Sequence, residues 1–214
     1  MRAYDAVLYD NDGTLVDTFD LIMCSMRYTA QHLIEREVPD WELSRGIGTP
    51  LYDQMLVLAE GDAAFAERLT AFYREHNHSV HDDMVKAFPS VADMLEAVRA
   101  AGLAQGVVTS KMHALCARGL SICGLDGYMD VLIGPDDCPE HKPAPGPVLE
   151  GCRRLGVAPE RCLYVGDSPF DLQAGNAAGC ATVAVSWGVF PLDVLSAENP
   201  TYTIAAPADL LGLI

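Results

Sequence analysis

Positive charge is scarce in this sequence. Its 214 residues include 14 Lys and Arg against 30 Asp and Glu, which gives a formal net charge of −16. Lysine occurs only at positions 86, 111 and 142. Proteins that bind nucleic acids or anionic membrane surfaces through charge present clustered Lys and Arg side chains. The charge balance therefore argues against nucleic acid and membrane partners.

Long apolar runs and paired cysteines are also missing. No run approaches the roughly 18 apolar residues of a membrane span, and the apolar stretch at residues 7–9 meets Asp10 too early for a signal peptide. The seven cysteines form no Cys-x-x-Cys pair, and their odd number argues against a disulfide framework. We expect a soluble cytoplasmic protein, a monomer or homodimer, whose cysteines are reduced and buried as small hydrophobic side chains.

The arrangement of apolar residues predicts the fold class. Short apolar runs alternate with helix-length segments, and they fall at residues 6–9, 105–108, 131–133, 162–165 and 182–185. This alternation predicts an α/β fold with a Rossmann-like parallel sheet and helices on both of its faces. Ligands bind such sheets at the carboxyl ends of the strands, which is where Asp10, Thr109 and Asp167 should lie.

One long interval breaks this alternation. Between the first two predicted strands no convincing strand appears, and the apolar residues recur at the spacing of three or four that is typical of amphipathic helices. Asp17 or Thr18 can cap the first of these helices. We interpret residues 16–85 as a helical cap domain inserted into an α/β core domain, which consists of residues 1–15 and 86–214.

Two pairs of carboxylates follow predicted strands. Asp10 and Asp12 are two residues apart on an extended segment, so both side chains can face one reaction centre. Two carboxylates so close together resist simultaneous ionisation unless a cation is present. Asp167 and Asp171 follow another strand. Oxygen ligands from separate strand ends suit a hard Mg²⁺ ion, whose remaining ligands are water and substrate.

Hydroxyl and ammonium groups occur between these acidic clusters. Thr109, Ser110 and Lys111 follow one predicted strand, and Lys142 precedes a predicted helix. A hydroxyl, a backbone N–H and a lysine can together bind phosphoryl oxygens. We expect Lys142 to take part in the site and Lys111 to be solvated.

Taken in order, these residues resemble the four motifs of the haloacid dehalogenase superfamily. The motifs are Asp10-x-Asp12-Gly13-Thr14, Thr109, Lys142-Pro143 and Gly166-Asp167-x-x-x-Asp171. The helical insertion resembles the C1 cap of subfamily I in that superfamily, and the resemblance covers essentially the whole chain. It implies an enzyme with a capped Rossmann-like core.

The resemblance also implies roles for the acidic residues. Asp10 would be the nucleophile that forms an aspartyl-phosphate. Asp12 would protonate the leaving oxygen and then deprotonate the hydrolytic water. The side chains of Asp10 and Asp167 and the backbone carbonyl of Asp12 would bind Mg²⁺, and Asp171 would support the metal site.

Other residues would hold the substrate if the resemblance applies. Thr109, the Ser110 N–H and Lys142 would bind the transferring phosphoryl group. Arg45, in a glycine-rich loop of the insertion, is a candidate for contact with an anionic leaving group. The cluster of His76, His78 and His81 invites a metal interpretation, but packing or substrate contact fits its place on a helix better.

Branches of the superfamily differ in residues that can be checked here. Dehalogenation needs neither Mg²⁺ nor an acid for the leaving group, and phosphonate cleavage uses a cap lysine that residues 16–85 lack. The resemblance therefore favours a Mg²⁺-dependent phosphatase for a small phosphomonoester of the phosphoglycolate type, with a bacterial-type inorganic pyrophosphatase as the alternative. More distant alternatives are a sugar-phosphate mutase, whose hinge histidine is missing from residues 16–22, and a non-enzymatic phospho-accepting domain.

Overall fold

The computed structural model describes residues 3–214. Its strands are β1 (Ala6–Tyr9), β2 (Val16–Asp17), β3 (Lys86–Ala87), β4 (Ala104–Val108), β5 (Val131–Ile133), β6 (Cys162–Gly166), β7 (Ala181–Val185) and β8 (Tyr202–Ile204). Its α-helices are α1 (Phe19–Leu33), α2 (Asp40–Ser44), α3 (Leu51–Leu58), α4 (Ala63–Met84), α5 (Val91–Ala100), α6 (His113–Ile122), α7 (Gly146–Leu155), α8 (Pro169–Ala178) and α9 (Leu192–Ser196). Short 3₁₀ helices lie at Asp126–Tyr128, Pro159–Arg161 and Pro207–Gly212.

Six strands form one parallel sheet in the order β5-β4-β1-β6-β7-β8. All five strands predicted from apolar runs are present, and the α/β architecture is confirmed. The sixth strand, β8, was not predicted because it has three residues and an exposed central threonine, so it has no continuous apolar run. The order places β1 between β4 and β6, so the loop after β1 lies at the middle of the sheet edge.

Helices cover both faces of the sheet because its strands are buried on both sides. In β1, Val7 and Tyr9 pack with side chains of α5 and α6. The alternate residues, Ala6 and Leu8, pack with side chains of α7 and α8 on the opposite face. Successive side chains of a strand point to opposite faces, so a strand that is apolar at every position requires two hydrophobic layers.

The segment between β2 and β3 is entirely helical in its regular structure and has its own hydrophobic cluster. Met26 of α1, Met55 of α3 and Leu69 of α4 are all at most 1% exposed within that cluster. Helix α4 contacts both α1 and α3. This arrangement agrees with the helical spacing of apolar residues in the sequence.

A two-stranded antiparallel ribbon connects the helical segment to the sheet. In it Val16 pairs with Ala87 and Asp17 pairs with Lys86, whose Nζ lies 3.1 Å from the Asp17 carboxylate. We expected no strand in this interval, and that expectation is wrong at its two ends. Strands of two residues are too short to show a hydrophobic period.

None of the helices within residues 3–214 combines the length and the apolar composition that a membrane-spanning helix needs.

Candidate active site

The loop after β1 carries the first two carboxylates of the site. The Asp10 N–H donates to the β6 backbone at 2.8 Å, so this residue continues the ladder of the sheet. The chain then turns sharply, because the carbonyl of Asn11 accepts a hydrogen bond from the Val16 N–H at 3.0 Å. Gly13 in this turn has a φ of +86°, a conformation that favours glycine. The turn separates the surroundings of Asp10 from those of Asp12.

Lys142 is a buried cation shared by two carboxylates. Its Nζ donates to Asp10 Oδ1 at 2.8 Å and to Asp171 Oδ1 at 2.7 Å, and its side chain is 2% exposed. The Tyr164 hydroxyl also donates to Asp171 Oδ1, at 3.2 Å. One ammonium group therefore connects the loop after β1 with the start of α8.

The start of α8 fixes the position of Asp171. Ser168 is the N-cap residue, and its Oγ accepts a hydrogen bond from the Asp171 N–H at 3.2 Å. Asp171 Oδ2 in turn accepts one from the Ser168 N–H at 3.1 Å, which completes a capping box. Pro169 occupies the first helical position, where a missing N–H costs no hydrogen bond. The cap holds Asp171 fully buried beside Lys142.

Asp167 lies at the end of β6 in a close-fitting environment. Its Oδ1 accepts a hydrogen bond from the Thr14 hydroxyl at 3.2 Å, and its Oδ2 accepts one from the Val189 N–H at 2.8 Å. A Cβ atom added at either Gly13 or Gly188 would overlap the Asp167 side chain. Glycine at both positions lets two backbone segments approach this carboxylate.

The buried carboxylates outnumber the positive charge that contacts them. Ligand oxygens of Asp10, Asp167 and Asp171 lie within 4.8 Å of one another. Burial and the Asp171 charge raise the pKa of Asp10 well above its usual range, against the opposing effect of Lys142. The same two causes raise the pKa of Asp167 to about 7. Burial opposes the charge on Lys142, but Asp10 and Asp171 outweigh it and raise its pKa.

These oxygen donors fit a divalent metal ion. Hard cations take carboxylate oxygens, and the excess of negative charge in the group is what such an ion would neutralise. Asp171 belongs to this group, although we expected it only to support the metal site. The Asp12 side chain does not belong to this group, and metal binding by its backbone carbonyl stays a prediction.

Asp12 has a different environment from Asp10. Its Oδ1 accepts hydrogen bonds from the Thr18 hydroxyl at 2.7 Å and from Lys111 Nζ at 2.9 Å. Burial alone would raise the pKa of Asp12, but Lys111 and Thr18 outweigh it and lower this pKa. The expectation that Lys111 is solvated is wrong, since its side chain is 13% exposed. Thr18 occupies the N-cap position of α1 but directs its hydroxyl to Asp12 instead of capping the helix.

The loop after β4 contributes the hydroxyl groups. Thr109 is 6% exposed, and its Oγ1 accepts a hydrogen bond from the Lys111 N–H at 3.1 Å. The Ser110 hydroxyl donates to the carbonyl of Gly48 at 2.9 Å, so this loop contacts the helical segment directly. Both residues line the cavity over Asp10, and their contact with a phosphoryl group stays a prediction.

That cavity has a volume of about 200 Å³ and lies between the sheet edge and the helical segment. Besides the residues already described, the helical segment contributes polar side chains to its wall. These are Gln54, Tyr73, Arg74, Asn77 and His78. Arg74 is exposed on α4, and it was not among the site residues predicted from the sequence.

Arg45 and two of the histidines lie elsewhere. Arg45 is exposed and lines a neighbouring cavity with Lys142, whereas the described residues around the cavity over Asp10 do not include it. His76 stacks on Tyr28, and His81 is buried with its Nδ1 3.0 Å from Asp82. Within residues 3–214 the clustered histidines belong to no group of three or more close metal-ligand side chains.

The raised pKa of Asp167 predicts a pH-dependent stability of the metal-free protein. A carboxyl whose folded pKa exceeds its unfolded value stabilises the fold at low pH and loses that contribution as pH rises. Between pH ~4 and ~7, wild type should therefore lose about 3 kcal/mol of unfolding free energy relative to Asp167→Asn. Urea denaturation in EDTA measures this difference. The control variant Asp93→Asn, at an exposed site, should show the same pH dependence of unfolding free energy as wild type. If the difference in unfolding free energy between wild type and Asp167→Asn did not change with pH, the raised pKa of Asp167 would be contradicted.

Comparisons with known proteins agree with the residue pattern and the fold. A family model described as "Haloacid dehalogenase-like hydrolase" matches residues 7–185. A Clostridium perfringens protein named "Putative pyrophosphatase PpaX" is 37% identical, over 98% of this chain and 96% of its own length. "Pyrophosphatase PpaX" of Bacillus velezensis is 34% identical over 97% of this chain and 95% of its own.

Solved structures share the whole fold. A Bacteroides fragilis structure titled "Putative haloacid dehalogenase-like hydrolase" superimposes with a TM-score of 0.91 at 26% identity, covering 97% of this chain and 99% of that one. A Lactobacillus plantarum structure titled "putative phosphoglycolate phosphatase" gives a TM-score of 0.89 at 26% identity and covers all of both chains. Motifs, fold and relatives together show that the chain belongs to the haloacid dehalogenase-like hydrolase family.

Proposed function

We propose that the protein is a Mg²⁺-dependent phosphohydrolase that cleaves a small phosphorylated substrate through an aspartyl-phosphate on Asp10. The observation that carries this proposal is the division between two carboxylates only two residues apart. Asp10 shares an ammonium group with Asp171 among the clustered acids, whereas Asp12 lies apart with Thr18. Two carboxylates in contrasting environments can take the two different roles of nucleophile and acid–base group.

The reaction requires two transfers of one phosphoryl group. A carboxylate oxygen of Asp10 attacks phosphorus, the bond from phosphorus to the leaving oxygen breaks, and Asp12 supplies a proton to that oxygen. Asp12 then accepts a proton from water, which attacks phosphorus and releases phosphate from Asp10. Thr109, the Ser110 N–H and Lys142 would hold the phosphoryl oxygens in both steps.

Mg²⁺ is the proposed cofactor because the available donors are hard oxygen atoms. The side chains of Asp10 and Asp167 and the backbone carbonyl of Asp12 would hold it, with Asp171 beside them. When bound, the ion supplies charge neutralisation between the nucleophile and the phosphoryl group. Lys142 cannot provide this alone, since it already pairs with two carboxylates.

The cavity limits the size of the substrate. Its volume of about 200 Å³ is below the ~300–1,000 Å³ typical of sites for drug-sized ligands. Cationic side chains on its wall, Lys111 and Arg74, suit a leaving group that is itself an anion. A small phosphomonoester that carries a carboxylate, of the phosphoglycolate type, fits these conditions.

Inorganic pyrophosphate is the second candidate, and two observations favour it. The relatives that are 34% and 37% identical are named as pyrophosphatases. In addition, Lys111 stabilises the ionised form of Asp12 and lowers its pKa, so Asp12 less often carries the proton that a leaving group would take. A phosphate leaving group needs less protonation than the alkoxide of a phosphomonoester, so this ion pair suits an anhydride substrate better.

Loss of the nucleophile or of the metal should abolish turnover. Asp10→Asn should reduce kcat at least ~10³-fold on either candidate substrate, since a catalytic nucleophile contributes at least that much. Excess EDTA should also abolish phosphate release from the wild type, and added Mg²⁺ should restore it. Phosphate release is the measurement, and Asp93→Asn is the matched control with normal activity. Full activity of Asp10→Asn or of the EDTA-treated enzyme would contradict the mechanism.

Arg74 and Arg45 give a matched test of substrate selection. Arg74→Gln should lower kcat/KM for pyrophosphate about tenfold more than for an aryl phosphate with an uncharged leaving group, because a charged hydrogen bond is worth about 1.5–3 kcal/mol. Arg45→Gln should leave that ratio unchanged. If Arg45→Gln changed the ratio and Arg74→Gln did not, Arg45 would be the residue that contacts the leaving group. The wild-type kcat/KM for pyrophosphate against phosphoglycolate decides between the two candidates.

A further inference from the structure

Three thiols converge inside the protein at the end of the sheet opposite the proposed active site. Cys152 belongs to α7, Cys162 is the first residue of β6, and Cys180 immediately precedes β7. Their sulfur atoms lie within 4.8 Å of one another, and those of Cys152 and Cys180 are 3.9 Å apart. The three side chains are 0–7% exposed. Asp167, by contrast, follows the other end of β6.

This spacing matches the requirements of a metal site made of three thiolates. Metal–sulfur bonds in such sites are about 2.3 Å long, so three sulfurs arranged evenly around one ion lie about 4.0 Å apart. The observed distance of 3.9 Å between the sulfur atoms of Cys152 and Cys180 is close to that separation.

The surroundings decide which class of ion fits. Within residues 3–214, no His, Asp or Glu belongs to the ligand group formed by these cysteines. Their neighbours on this face of the sheet are apolar, among them Ala6, Leu8, Val148 and Ala178. Structural Zn²⁺ is almost always four-coordinate, whereas soft thiolate sets also select Cu(I).

We propose that Cys152, Cys162 and Cys180 form a binding site for a soft monovalent cation of the Cu(I) class, separate from the proposed catalytic centre. Each thiol that binds the ion releases its proton to solvent, so affinity rises with pH. Cys180, at 7% exposure, is the most accessible of the three and marks the route of entry. Hydrogen bonding with Cys152 and burial raise the pKa of Cys180 to about 12, so this thiol loses its proton only when the ion binds.

A redox disulfide is the competing use of the same thiols. It would require Cys152 and Cys180 to bring their sulfurs from 3.9 Å to about 2.05 Å. It would also leave Cys162 without a role. Metal binding uses all three sulfurs near their present positions and needs no oxidant.

The test uses full-length protein in which Cys24, Cys123 and Cys138, the partly exposed cysteines, are replaced by serine. Cu(I) is supplied anaerobically from a chromogenic chelator that competes for it. One Cu(I) per chain should bind, and X-ray absorption should show three sulfur neighbours at about 2.3 Å. Affinity should rise between about pH 6 and about pH 8, because each thiol loses its proton when it binds the ion.

Substitutions in this background separate the site from other thiols. Cys180→Ser should weaken Cu(I) binding at least ~100-fold, since loss of even supporting contacts at a metal costs about 10–100-fold. Cys116→Ala is the matched control, because Cys116 is also buried but lies outside the group, and it should bind normally. If Cys180→Ser does not fold, the number of sulfur neighbours of Cu(I) in the protein that retains all three clustered cysteines still tests the proposal. Fewer than three sulfur neighbours, no bound Cu(I), or a Cys152–Cys180 disulfide formed in preference would overturn the proposal.

Discussion

The pairing of one buried ammonium group with two carboxylates is the interaction on which the proposed active site depends. Lys142 joins Asp10, from the loop after β1, to Asp171, from the first turn of α8. The removal of one partner from such a buried pair typically costs about 3–5 kcal/mol, because a charge is left uncompensated. The Ser168 cap of α8 and the Tyr164 hydroxyl hold Asp171 in place, so the local structure of a helix terminus determines the position of a charge at the site.

Asp10 and Asp12 lie at the same edge of the sheet but have different neighbours, and the helical segment contributes to this difference. Thr18, immediately before α1, donates to Asp12, and Ser110 of the core donates to the carbonyl of Gly48 in the helical segment. Residues on both sides of the cavity therefore contact groups that we propose to act in acid–base chemistry and phosphoryl binding. We propose that the helical segment acts as a cap whose position affects both the enclosed volume and the environment of Asp12.

Much of this could be predicted from the sequence because buried parallel strands are apolar at every position and end at polar residues. Asp10, Asp167 and Thr109 were expected at strand ends and lie there. The position of Lys111 could not be predicted, since its ion pair joins residues 99 positions apart and a lysine in a loop is ordinarily solvated. Arg74 was not predicted as a site residue, because its place on the cavity wall depends on how the helical segment packs over the sheet.

The central claim, a covalent phosphoryl group on Asp10, can be tested by trapping it. Asp12→Asn lacks both the acid for the leaving group and the base for water attack, so it should accumulate the intermediate when supplied with Mg²⁺ and an aryl phosphate, whose leaving group needs little protonation. Reduction with borohydride after an acid quench converts an acyl phosphate to an alcohol, and peptide mass spectrometry locates it. We predict substrate-dependent conversion of Asp10 to homoserine, with none in the variant that also carries Asp10→Asn. Unchanged Asp10 during phosphate release, or conversion at another aspartate, would contradict the account.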